Sequence, residues 1–210
     1  MTEILPNKTG RSREAREQVA ARDTADLLRL PGGRRLTLRF VTPQDIAPLM
    51  AYLQSQSQRS RANRFLGIRH ELTDGEVTRM LRTGEDHLFA VIGELTIDGA
   101  DRIVCEARYA FDPETQACEF GLSVGDAWHG LGIGTAVLSN LECRAAAFGA
   151  RRMLGDTFRD NKEMLGLARK NGFAFVHSPD DWRLVRVQKT VGHMPQDIPC
   201  LAWRSMASAA

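Results

Sequence analysis

The sequence predicts an α/β (α+β) fold, a single domain in which a mixed, mostly antiparallel sheet is flanked by helices. Three observations lead there. Apolar and polar residues alternate in several segments, the period of a half-buried strand. Amphipathic stretches with capping residues at their starts lie between and after those segments. The patterns run strand, two or three helices, three strands, helix, strand, helix and a closing hairpin, an order that packs helices around one sheet. With 210 residues, 43% hydrophobic and 26% charged, the chain is near the globular average. It is long enough to bury roughly 70% of its unfolded surface without a disulfide or metal staple.

Residues 1–33 are polar and of mixed charge, and Pro31-Gly32-Gly33 breaks the chain. They are expected to be a polar N-terminal extension, loose or docked on an edge, followed by the domain at 34–192 and a C-terminal tail at 193–210. Leu36, Leu38 and Phe40 alternate with Thr37 and Arg39 as a strand. Thr42 then caps a helix, with Pro43 at its first position, that carries Ile46, Leu49, Met50 and Leu53. Thr73 and Glu76 form a capping box for a helix through Val77, Met80 and Leu81, stopped by Gly84. Residues 87–95 and 102–111 are β-rich, with a hairpin turn at Gly99. In 117–124, Cys118, Phe120, Leu122 and Val124 share one face while Glu119, Gly121 and Ser123 share the other. After a glycine-rich turn, a helix presents Val137, Leu138, Leu141, Ala145 and Phe148. Residues 153–158 form a strand, and Asp160 is read as the cap of a helix that Asn171-Gly172 ends.

The 28 basic and 26 acidic residues give a net charge of +2, too balanced for a dedicated nucleic-acid binder. Cys105, Cys118, Cys143 and Cys200 lack metal or disulfide-framework spacing and read as small core residues; the five histidines show no HExxH-like pattern. No run of about 18 apolar residues is present. The first residues also lack a signal peptide's apolar core. A cytoplasmic protein with no membrane and no nucleic-acid partner is the resulting expectation.

The chemistry is carried by His129-Gly130-Leu131-Gly132-Ile133-Gly134-Thr135, between a strand and an amphipathic helix. Glycines let the backbone approach a ligand closely. The unpaired N–H groups and positive dipole end of the helix suit an anion, most naturally a phosphate or pyrophosphate. A P-loop would need Gly-Lys-Ser/Thr. A dinucleotide loop would need GxGxxG, and Thr135 or Val137 stands where its last glycine belongs.

The His129–Gly134 segment resembles the Arg/Gln-x-x-Gly-x-Gly/Ala loop of the GNAT N-acetyltransferases, with His in place of Arg or Gln. The likeness continues in CEFGLSV before the loop, RRMLGDTF after it, and Asn161-Lys162-Glu163-Met164 running to Asn171-Gly172-Phe173. It spans roughly residues 35–189 and most resembles the catalytic domain of bacterial protein-lysine acetyltransferases; Arg64-Phe65 after Ser55, Ser57 and Ser60 adds to it. Taken alone, that pair reads equally well as a surface arginine beside a core phenylalanine. The resemblance implies that His129, Gly130, Leu131, Gly132, Ile133, Gly134 and Thr135 hold the pyrophosphate of acetyl-CoA. It further implies that Leu122, Ser123 and Val124 offer backbone groups to the pantetheine, and that Asn161 contacts the cofactor arm.

A lysine amine at its reference pKa of about 10.4 is less than about 0.1% neutral at pH 7, so attack on a thioester profits from a general base. Glu119 is the candidate, because it alternates onto the face of the small residues Gly121 and Ser123; Glu106 is the reserve. The resemblance implies the same strand position for the base. Many GNAT enzymes carry a tyrosine seven residues after the asparagine to protonate the thiolate, and here that residue is Ala168. The implied activity is acetyl transfer from acetyl-CoA to an amine, with a protein lysine among the acceptors. A small-molecule amine acetyltransferase and a non-catalytic acyl-CoA-sensing module stay open as alternatives.

Overall fold

β1 (Asp26–Arg29), β2 (Arg35–Phe40), β3 (Leu88–Ile97), β4 (Ala100–Asp112) and β5 (Ala117–Val124) form an antiparallel meander in the computed structural model. The structure describes residues 25–67, 73–81, 87–178 and 181–192. β6 (Arg152–Phe158), β7 (Ala174–His177) and β8 (Leu184–Thr190) complete a sheet in the order β1-β2-β3-β4-β5-β6-β8-β7. Among the described strands only β5 and β6 pair in parallel, and the crossover between them carries a helix, as is usual for a parallel pair. The five described α-helices are α1 (Ile46–Ser55), α2 (Gln58–Phe65), α3 (Asp74–Leu81), α4 (Ile133–Ala147) and α5 (Lys162–Lys170).

Local chemistry explains most boundaries. The β3–β4 turn places Asp98 and Gly99 at φ 51° and 78° with Ile97 facing Ala100, the two-residue hairpin geometry that Asp-Gly favours. Thr42 and Asp45 cap each other reciprocally, but the first turn is a 3-10 turn at Pro43–Asp45 and α1 begins at Ile46. The Thr73–Glu76 capping box forms as expected, with both Thr73 groups donating to the Glu76 carboxylate at 2.9 Å. The stop assigned to Gly84 lies outside the described residues. Asn161, not Asp160, caps α5: its Oδ1 accepts from the Met164 amide at 3.2 Å.

Two cores sandwich the sheet. Leu28, Leu30, Leu36, Leu38, Val91 and Tyr109 pack with Val137, Leu138 and Leu141 of α4 on one face. Leu49, Tyr52, Leu53, Met80, Ala90 and Ile92 pack together on the other, under α1 and α3. Each such fully buried aliphatic side chain contributes roughly 1.5–3 kcal/mol. Cys105 and Cys118 are buried free thiols. Cys143 is also buried but disulfide-bonded, which departs from the reading of all four cysteines as plain core residues.

The extension expected to end at residue 33 is in part a structural strand. β1 closes the sheet's edge, burying Leu28 and Leu30, and residues 1–24 and 193–210 lie outside the described residues. A buried polar knot locks β1 to α4. Asp26 Oδ2 accepts from Arg144 Nη2 at 2.6 Å and from Asn140 Nδ2 at 2.9 Å, while Arg144 Nε donates to Asn140 Oδ1 at 2.6 Å. Both charges are almost wholly shielded from water. Breaking such a pair leaves an uncompensated buried charge, at about 3–5 kcal/mol. Asp26→Asn is therefore expected to lower Tm on the order of 10 °C in thermal unfolding, whereas substitution of exposed Leu27 next to it should change Tm little.

Candidate functional site

The site begins where two strands stop pairing. β5 and β6 are in register from Ala117 to Glu119, opposite Arg152 to Leu154, and no further. At the last contact a Cβ on Gly155 would stand 2.8 Å from the Phe120 carbonyl oxygen, so a glycine is needed for the strands to meet before they part. Beyond it, Phe120–Val124 and Gly155–Thr157 become the two walls of a groove of about 690 Å³.

The glycine-rich loop forms one end of this groove. Gly130 and Gly132 sit at φ 78° and 82°, left-handed backbone that favours glycine. Gly134 serves packing instead, since a Cβ there would lie 3.1 Å from Leu167 and its absence lets α4 approach α5. Gly132 is the N-cap of α4, and its side chain-free cap leaves the helix's first amides to be satisfied by a ligand or water. His129 Nε2 donates to the Val124 carbonyl at 2.9 Å, tying the loop to the end of β5. His129, Gly130, Gly132, Ile133, Gly134 and Thr135 all line the groove, as do Leu122, Ser123, Val124 and Asn161. Ile133 does so mainly through its backbone, because its side chain is buried in the core. Leu131 does not line the groove and packs against the main core. The Asn161 amide is already engaged: besides capping α5, it donates from Nδ2 to Thr157 Oγ1 at 2.9 Å.

Helix α2 lies across the groove and is fastened to both lips. Asp126, in the β5–α4 loop, accepts from the Ser57 amide at 2.7 Å and from Ser60 Oγ at 2.5 Å. Arg59 Nη2 donates to the Asp160 carbonyl, at the start of α5, at 3.2 Å. The serines that read only as a Ser-rich helix thus anchor a strap over the cleft. A second contact invisible in the sequence pattern is Pro31: its ring would meet a Cβ on Gly132 at 2.7 Å, so the β1–β2 turn rests on the loop.

On the far side of β5 a cavity of about 310 Å³ adjoins the groove, and the two share Arg64, Phe120, Gly121 and Asp156 as walls. The cavity has an apolar side made by Leu66, Met80, Leu88 and Ala90, and a charged side with carboxylates at Glu76, Glu119 and Asp156 and guanidinium groups at Arg64 and Arg108. Asp156 is paired with Arg186 at 2.7 Å. Glu119 is exposed and shares its strand face with Gly121 and Ser123, opposite Ala110, Arg108 and Glu106 on β4. Glu106, the reserve base, is spoken for. It is 0% exposed and accepts from Arg64 Nε and Nη2 and from Ser123 Oγ at 2.9 Å, with Arg108 Nε 3.7 Å away. Burial pushes its carboxyl up, but Arg64, Arg108 and the serine outweigh that and hold it below its ordinary value. A group so held is a poor proton acceptor. The hydroxyl of Tyr52 completes the chain by donating to Ser123 Oγ at 3.0 Å. Arg64 is therefore a buried partner of Glu106, not a surface residue; only its adjacency to Phe65 in a serine-flanked segment hinted at this. Ala168, at 0% exposure, belongs to the core, so a tyrosine at that position would have to displace packed side chains.

No described helix is long and apolar enough to cross a membrane. Among the described residues, no group of three or more His, Cys, Asp or Glu is placed to hold a metal ion.

Comparison with known proteins places this architecture. The profile of the acetyltransferase (GNAT) domain matches residues 35–174. Acetyltransferase PA5475 of Pseudomonas aeruginosa is 26% identical over 152 residues, covering 72% of this chain and 82% of that protein. The GNAT domain of S. lividans PAT superimposes with a TM-score of 0.71 at 22% identity, covering 80% of this chain and 97% of that one. A cAMP-binding acyltransferase from Mycobacterium smegmatis gives a TM-score of 0.61 at 21% identity, covering 98% of this chain and 62% of that one. A sheet that opens beside a glycine-rich helix start, matched by the family profile over most of the domain, has one conclusion: the chain belongs to the GNAT acetyltransferases.

Proposed function

We propose that this enzyme transfers the acetyl group of acetyl-CoA to a primary amine at the end of an alkyl chain, such as a protein lysine, by direct attack with Glu119 as general base. The observation that carries the reading is the wall shared by groove and cavity. A thioester laid in the groove and an amine entering the cavity would meet along that wall, formed by Arg64, Phe120, Gly121 and Asp156, with Glu119 one alternation from Gly121. GNAT enzymes use acetyl-CoA as co-substrate, and the residues of the groove fit it. Gly130–Thr135 present helix-end amides to a pyrophosphate, and the unpaired edge of Leu122–Val124 offers main-chain partners to the amides of pantetheine. The cavity's apolar side suits a methylene stem, and Glu119, exposed at its wall, suits an amine. The likeness to the GNAT domain of S. lividans PAT supports a protein acceptor over a small polar one.

In the reaction, the Glu119 carboxylate takes the amine proton, directly or through water. The freed lone pair adds to the thioester carbon, and the tetrahedral adduct expels the CoA thiolate. With Ala168 buried and no tyrosine in its place, water in the open groove protonates the thiolate.

Two measurements test this. Thr135 stands at the third position of α4 and lines the groove. Thr135→Glu adds an acidic residue to the first turn, which favours the helix by about 0.3–1 kcal/mol, while facing the pyrophosphate with like charge. Thermal stability should hold or rise while CoA affinity by calorimetry falls more than about tenfold, or 1.4 kcal/mol; unchanged affinity would remove the loop from the binding site. Gly132→Glu is a poorer probe, since left-handed backbone and Pro31 both oppose a side chain there.

Glu119→Gln keeps the side chain's size and removes its basicity. Turnover at pH 7 should drop about 10²–10⁴-fold with CoA affinity intact, and the defect should shrink as pH rises and more of the amine is already neutral. Wild-type turnover in this variant would return Glu119 to an ordinary strand residue.

A further inference from the structure

We infer that Arg64 is a catalytic residue, donating from Nη1 to the oxygen of the thioester as it becomes an oxyanion; the inference rests on the acetyl-transfer reading above. Three features point there. First, the guanidinium is docked by its other edge: Nε and Nη2 both donate to the buried Glu106 carboxylate, a two-pronged grip that fixes the plane of the group. Glu106 is fixed in turn by the Tyr52–Ser123 hydroxyl chain, so these three act as positioning residues.

Second, Nη1 makes no hydrogen bond among the described residues and lies directly over β5. It would stand 2.9 Å from a Cβ on residue 121, so Gly121 is what allows the guanidinium to reach the strand. Arg64 and Gly121 are both walls of the groove and of the cavity, where the proposed reaction brings acyl carbon and amine together.

Third, the donor stays charged. Burial pulls the guanidinium's pKa down, but the Glu106 carboxylate outweighs that and holds it above its ordinary value. A pre-oriented charged donor loses nothing to reorganisation when an anion forms beside it. As the amine lone pair forms the new C–N bond, the C=O π pair moves onto oxygen, where Nη1 receives it. The pair returns when the C–S bond breaks and the thiolate leaves.

The plain alternative is that Arg64 serves only as the counter-ion of Glu106. Arg64→Lys separates the two. The ammonium keeps the charge and can still pair with Glu106, but it has no second edge to present over Gly121. The expected result is a kcat lower by about 10²–10³-fold, the usual loss for an oxyanion donor, with the affinity for CoA unchanged by calorimetry. S-carboxymethyl-CoA, which carries an anionic carboxylate in the acetyl position, should bind wild type more tightly than CoA does, and this preference should weaken in the variant. Undiminished kcat, or a parallel loss of kcat and CoA affinity, would overturn the inference.

Should Arg64→Lys fail to fold, Gly121→Ala decides by the same readouts. Its methyl group, 2.9 Å from Nη1 and 3.5 Å from Cζ, pushes the whole guanidinium off β5 while both charged side chains stay in the protein. Failure of acetyl transfer in wild type, with every amine and protein tried, would instead count against the proposed function itself.

Discussion

Every feature of the site follows from the separation of β5 and β6. A sheet interior normally satisfies all its main-chain donors and acceptors, and a strand edge buried without partners is costly. Here the pairing ends after Glu119 and Leu154, and the rest of β5 keeps only β4 as a neighbour. The exposed edge is tolerated because it borders an open groove, and it becomes useful because a ligand with amide groups can add to it like a partial strand. Gly155 sets where the opening starts, the His129–Val124 bond sets where β5 ends, and the start of α4 closes the far end. The Asp126 carboxylate and the Asp160 main-chain carbonyl, on opposite lips, hold α2 across the opening.

The buried charges divide the labour. Asp26 and Arg144 join the edge strand to the helix whose first turn lines the groove, so architecture far from the groove supports the loop. Glu106, buried on β4 beside β5, holds Arg64 at the junction of groove and cavity. Arg39 is a third case, bridging Asp45 at 2.7 Å and Glu94 at 2.7 Å and pinning the start of α1 to the sheet. Replacing such pairs by aliphatic residues is often neutral for stability elsewhere. At the junction of groove and cavity, such a replacement would also remove a guanidinium aimed at the wall where groove and cavity meet.

Much of this was legible in the sequence because it is local. Alternation identified β2 and β5, Gly99 marked the hairpin, and Thr73 with Glu76 marked α3; each depends on residues a few positions apart. The glycine-rich loop was legible for the same reason, and so was the face shared by Glu119, Gly121 and Ser123. What escaped depends on contacts across the chain. Arg64 looked superficial because its partner lies 42 positions away on β4. The role of Asp160 was misread because two neighbouring residues can each cap a helix, and tertiary contact with Thr157 favours Asn161. β1 was hidden by its polar surroundings: four residues carry too little pattern to stand out until Leu36 and Leu38 are seen beside them.

The β1–β2 turn gives the domain a boundary that sequence texture does not reveal. The profile match begins at residue 35, yet the unit that coheres starts at least nine residues earlier, at Asp26. A chain trimmed to the matched segment would expose the hydrogen-bonding edge of β2, strip the Leu28 and Leu30 cover from the main core, and leave a guanidinium on α4 sealed in without its counter-ion. It would also take Pro31 off Gly132. For anyone excising this domain or fusing it to another, the first strand is therefore part of the glycine-rich loop's foundation, and whatever pulls on the chain just ahead of it pulls on that loop.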